Sequence, residues 1–126
     1  MIYTVTFNPA IDYVVHTDAM QVGMVNRSHT EEIYYGGKGI NVSIVLSELG
    51  VKSKALGFVA GFTGEAIENG VAEKGIDADF VHLNEGFSRI NVKIKSGEET
   101  ELNGQGPKIT DEAIRELYAK LDEIQD

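Results

Sequence analysis

Two short stretches hold residues able to do chemistry: "NPAID", Asn8 to Asp12, and "GGKGIN", Gly36 to Asn41. An ionised aspartate can accept two hydrogen bonds from neighbouring hydroxyls, and an asparagine amide both donates and accepts. Glycines permit a sharp turn and a close approach of backbone to ligand. A helix that starts there would offer free N–H groups to a polar or anionic partner. Together the carboxylate of Asp12, the amide of Asn41 and the loop could hold a small polyhydroxylated molecule. Each piece also has a plainer reading, as a turn aspartate, a helix-capping asparagine and a tight strand-to-helix turn.

The glycine spacing narrows the ligand. Lys38 is followed by Gly39, not by Ser or Thr, so the loop is no Walker-type phosphate loop. Positions 37, 39 and 42 read Gly, Gly and Val, and the later Gly57, Gly61 and Gly64 also miss the dinucleotide spacing. A Rossmann-type oxidoreductase is disfavoured on that ground. Basic residues are scarce: through Val51 there are only Arg27 and Lys38, which are either ordinary surface charges or anchors for an anionic small molecule. His16, His29 and His82 share no ligand-like spacing, so a metal site built on them is not expected.

The 126-residue chain carries a net charge of -9 and a pI near 4.7. That excludes a general nucleic-acid binder, because nothing would offset phosphate repulsion. It has no cysteine, hence no disulfide and no thiolate metal site. The opening "MIYTVTFNPAID" has neither a basic n-region nor a long apolar run, and no stretch is long enough to span a bilayer. A cytoplasmic chain without a membrane partner is the expectation.

The elements that must position these residues alternate. "IYTVTFN" reads as a buried strand, and "NVSIVLSELG" as a helix whose Val42, Val45, Leu46 and Leu49 form the buried stripe. "SKALGFVAG" is a second buried strand, "GEAIENGVAEKG" a second helix and "ADFVHLN" a third strand. Strand–helix alternation predicts an α/β layer with right-handed crossovers. "IDYVVHTD", "EEIYY" and "RINVKIKSGEETELN" break that rhythm with period-two alternation, Ile90, Val92 and Ile94 facing one way and Arg89, Asn91, Lys93 and Lys95 the other. They predict a second, mostly antiparallel sheet whose apolar face needs a cover. A third helix follows, capped by Thr110, with Ile114, Leu117, Tyr118 and Leu121 as its stripe. No strand follows it, so the sequence reads as the front part of something larger.

"NPAID", "GGKGINVSIVLSELG", "GFVAGFTG", "RINVKI" and "TELNGQGP", in this order, resemble the phosphofructokinase B branch of the ribokinase-like sugar kinases. The likeness is nearest to the 1-phosphofructokinases and next to the tagatose-6-phosphate kinases. It implies the N-terminal part of a three-layer Rossmann-type core, plus a discontinuous β-sheet lid over about 10–36 and 88–104. It implies that Asp12, Gly37, Lys38, Gly39 and Asn41 hold the sugar, and that Arg27 and Arg89 reach it from the lid. A homodimer formed through the lid follows from the same resemblance. Ala60 stands where the family usually has glycine. The late glycine-rich signature ending in the catalytic aspartate is absent. ATP and Mg²⁺ are therefore expected only with the full-length protein, which would phosphorylate fructose 1-phosphate. No cofactor is expected with this chain, which alone is expected to be inactive. The alternative reading is a non-catalytic module that binds sugar phosphate or dimerises.

Overall fold

The computed structural model describes residues 1–124. Its first strand, β1 (Ile2–Thr6), leads into β2 (Ala10–His16) and β3 (Thr30–Gly36), then into α1 (Lys38–Glu48), β4 (Ser53–Ala60) and α2 (Gly61–Glu73). Then come β5 (Asp77–Ala78), β6 (Val81–Leu83), β7 (Arg89–Ser96), β8 (Glu98–Asn103) and α3 (Asp111–Asp122). β4 is flanked in parallel by β1 on one side and by β5 and β6 on the other. The expected third strand is thus broken into two pieces beside β4, and Asp79 at the break still donates its N–H to the Ala55 carbonyl.

Helices cover both faces of this parallel sheet. Ile40 of α1 and Ile67 and Val71 of α2 pack with Ala55 and Val59, while Ala113 and Leu117 of α3 pack with Leu56, Phe58 and Val81 on the opposite face. That is the expected three-layer α/β arrangement. α3 starts as predicted, the Thr110 hydroxyl accepting from the Ala113 N–H at 3.1 Å.

Two burial expectations fail. β1 is an edge strand among the described residues, with Ile2 44% and Val5 38% exposed. On α1 the expected stripe points outward: Val42, Val45 and Leu49 are 50%, 53% and 72% exposed. The inner face is Ile40, Ser43 and Ile44 instead. Ser43 is chosen by hydroxyls beneath it, meeting Thr4 Oγ1 at 2.7 Å and accepting from Ser53 Oγ at 2.8 Å. A helix apolar on two sides fits two rotations, and only the one that satisfies these buried hydroxyls avoids a desolvation cost.

The remaining strands form a second sheet in the order β3-β2-β7-β8. Its outer pairings are antiparallel, but the central β2–β7 pairing is parallel. The reason is topological: β2 follows β1 and β7 follows β6, so both strands leave the same edge of a parallel sheet.

Candidate functional site

The parallel pairing sets Asp12 directly beside Asn91, with Tyr34 on its other flank. Asn91, only 8% exposed, donates from Nδ2 to Asp12 Oδ1 at 3.1 Å. The Gly104 N–H donates to Asn91 Oδ1 at 3.2 Å, which fixes the orientation of the amide. At the other oxygen, Lys93 Nζ stands 4.0 Å from Asp12 Oδ2. A Cβ on Gly36 would lie 2.4 Å from that same oxygen, so the carboxylate occupies space that only glycine leaves open. Asp12 is thereby held in one orientation with lone pairs unused.

Asn8, at the end of β1, ties this cluster to the core. Its carbonyl accepts from Arg89 Nε at 3.1 Å and its amide donates to the Gln105 carbonyl at 3.0 Å. Arg89 keeps its terminal nitrogens and makes no ion pair among the described residues. Farther out on the same face, His16 Nε2 meets Glu32 Oε1 at 2.7 Å and the Tyr34 hydroxyl donates to Glu32 Oε2. The Tyr34 hydrogen bond, helped by His16, holds the Glu32 carboxyl below the usual carboxylate range. The same bond pushes the Tyr34 hydroxyl up.

The glycine loop runs from Gly36 into α1, and packing alone explains two of its glycines. A Cβ on Gly37 would come 2.4 Å from Thr6 Cγ2, and one on Gly39 2.5 Å from Thr6 Oγ1. Thr6 also accepts the Ile40 N–H at 3.0 Å. Lys38 and Asn41 have exposed side chains with no hydrogen bond among the described residues, and Asn41 borders a shallow apolar groove with Val42, Val45 and Leu46. Arg27 is not brought to this cluster. Its carbonyl accepts from Thr17 Oγ1 beyond the outer end of β2, roughly 16 Å along the strand from Asp12. Ala60 requires no glycine, since it begins α2 with extended backbone.

Sequence reasoning named Asp12 and Arg89 but not Asn91, Lys93 or Gly36. The alternation along β7 put Asn91 and Lys93 on the Arg89 face; what was missing was the register that sets that face against Asp12. A larger cavity, about 620 Å³, lies between β6, the loop after it and the start of α3, lined by His82, Glu85, Lys108 and Glu112. It contains none of the predicted residues. No helix among the described residues is long and apolar enough to cross a membrane.

Comparison with known proteins bears on the fold and the family. The chain is 50% identical over its whole length to 1-phosphofructokinase of Bacillus subtilis, covering 41% of that relative. It is 44% identical to D-tagatose-1-phosphate kinase of Bacillus licheniformis, with 98% of the chain and 40% of the relative covered. The chain therefore spans about two fifths of the length of these curated relatives. Phosphofructokinase-2 of Escherichia coli, solved in complex with substrates and products, superposes with a TM-score of 0.91 at 25% identity, over 99% of this chain and 41% of that one. A tetrameric inhibited form of the same enzyme gives 0.88, again over 99% of this chain at 25% identity and covering 42% of that one. Residues 5–126 match the model of the pfkB family carbohydrate kinases, and the chain belongs to that family.

Proposed function

We propose that this chain supplies the sugar-holding part of an ATP-dependent kinase that converts fructose 1-phosphate to fructose 1,6-bisphosphate. The observation that carries the reading is Asp12, gripped at one oxygen by Asn91 and given room at the other by Gly36. A carboxylate fixed in that way suits a pair of adjacent sugar hydroxyls. Arg89, anchored through Nε, is the cation best placed for the phosphate. The glycine loop, with Lys38 and Asn41 at the start of α1, closes over the sugar, and the second sheet acts as its lid. The relative named for D-tagatose 1-phosphate makes a tagatose phosphate the competing substrate, and it favours the 1-phosphate over the 6-phosphate.

The catalytic base and the nucleotide site are assigned to sequence outside these 126 residues, so that this chain alone is inactive. Two observations support that assignment. The chain spans about two fifths of the length of its curated relatives. Bare apolar side chains, Val5, Val42 and Val45, flank the free edge of β1 and offer a surface for further chain. On the second sheet, Ile33 and Leu102, 58% and 71% exposed, favour a homodimer in which two lids pair.

The test is ADP formation from Mg-ATP with fructose 1-phosphate, tagatose 1-phosphate and tagatose 6-phosphate. It is run on the full-length protein and on the 126-residue chain. Fructose 1-phosphate should be turned over fastest by the full-length protein. The shorter chain should fall below roughly a thousandth of that rate, as expected without base or anion stabilisation. Turnover by the shorter chain alone would sink the division of labour. If the full-length protein acted on none of the three, the substrate class would be wrong.

A further inference from the structure

We propose that Lys93 is a specificity-determining residue, acting with Arg89 as a two-cation grip that selects a phosphorylated over an unphosphorylated sugar. This deepens the reading above and rests on it. Arg89, Asn91 and Lys93 alternate along β7 and share the face that carries Asp12. Arg89 and Lys93 leave the strand about 13 Å apart, with Asn91 between them, a span that two long side chains can close from either end. Arg89 commits its Nε to the Asn8 carbonyl and keeps two terminal nitrogens for a ligand.

Lys93 has no close partner among the described residues. Among the described residues, Asp12 is the only carboxylate within ion-pair reach, and 4.0 Å is too long for a hydrogen bond. Glu101 lies across from Lys93 on β8 without pairing to it, while Lys95 takes Glu99 at 3.4 Å. So in a chain with 20 acidic side chains against 11 basic ones, the ammonium beside the sugar-holding aspartate keeps all its donors. A phosphate arriving near Asp12 meets like charge, and a cation between them offsets that repulsion while donating to phosphate oxygens. A neutral sugar needs neither service. The position of Lys93 therefore bears on substrate choice more than on sugar binding itself.

The experiment titrates fructose 1-phosphate and fructose calorimetrically into the full-length protein, as wild type, Lys93→Gln and Lys93→Arg, with thermal melts to verify folding. Lys93→Gln should weaken fructose 1-phosphate roughly 10- to 100-fold and collapse its preference over fructose. Its salt dependence for fructose 1-phosphate should become shallower. Lys93→Arg should stay within about threefold of wild type, since the charge is kept. Equal losses for both sugars would make Lys93 a mere support for Asp12 and overturn the proposal. No loss for either would overturn it as well. A folded wild type that ignores fructose 1-phosphate would instead overturn the parent reading.

Discussion

The two faces of the second sheet share every strand and almost no chemistry. One face carries Asp12, Asn91, Lys93 and Arg89, with Asn91 hydrogen-bonded to Asp12 and Arg89 to Asn8. The other carries Ile11, Tyr35, Ile33, Ile90 and Leu102. Near the core that face is covered: Ile11 and Tyr35 pack against the α1–α2 cluster, and Tyr35 lies so close to α2 that Gly70 has no space for a Cβ. Farther out, Ile33, Ile90 and Leu102 are 58%, 37% and 71% exposed. Period-two alternation thus gives one short sheet two tasks with different physics. The polar face is pre-organised within the chain. The apolar face stays partly bare within the chain.

The largest break should come on the polar face. Asp12→Asn keeps the shape but replaces a charged acceptor by a half-donating amide. Hydrogen bonds to charged groups contribute about 1.5–3 kcal/mol each. KM of the full-length protein for fructose 1-phosphate should rise roughly 100-fold with kcat changed much less, because the interaction is made in ground and transition states alike. A fall in kcat at constant KM would move Asp12 from holding the sugar into the chemistry.

A smaller effect is expected on the opposite face. Ile33→Asp with Leu102→Asp puts charges where the apolar surface should meet its twin. Sedimentation velocity should show dimer shifting toward monomer, with the dimer constant weakened about 10- to 30-fold. The thermal melt of the monomer should hardly change, since both positions are exposed. A wild-type chain that stays monomeric at high concentration would remove the partner from this face, and the exposed side chains would need another cover.

The two faces also differ in how far they could be read from sequence. The alternation of Ile90, Val92 and Ile94 against Arg89, Asn91 and Lys93 was plain, and it placed the strand and its faces. It could not supply register. Asp12 and Asn91 are 79 residues apart, and their pairing depends on where β1 and β6 end in the other sheet. Gly36 gave no signal of its own; it looked like one more glycine in a ligand loop, whereas its role is to leave room for the Asp12 carboxylate. Gly37 and Gly39 taught the reverse lesson, being demanded by Thr6 whether or not a ligand binds. In the core, strand–helix alternation gave the layers, but α1 is apolar on two sides, and the buried hydroxyls of Thr4 and Ser53 decided its rotation.

The smallest predicted effect sharpens the contrast between a lysine kept for a ligand and one used for structure. Lys120 of α3 donates to Asp79 Oδ1 at 2.8 Å, at the break between β5 and β6. That hydrogen bond raises the Lys120 ammonium above its ordinary value, against an opposing push from partial burial. A raised folded-state value means that the contribution is complete below the unfolded value of 10.5 and is lost as pH climbs through the higher folded one. Both groups are partly exposed, so the pair should contribute only about 0.5 kcal/mol. Urea unfolding at pH 8 should show Asp79→Asn destabilised by about that amount. The gap between variant and wild type should close as the pH is raised past 10.5. Lys93→Gln, by contrast, should leave urea stability within about 0.5 kcal/mol of wild type at either pH, since its nearest carboxylate is beyond hydrogen-bond distance. A larger loss for Lys93→Gln than for Asp79→Asn would mean that the polar face is held together by its ion pair, and that Lys93 belongs to the fold rather than to the ligand.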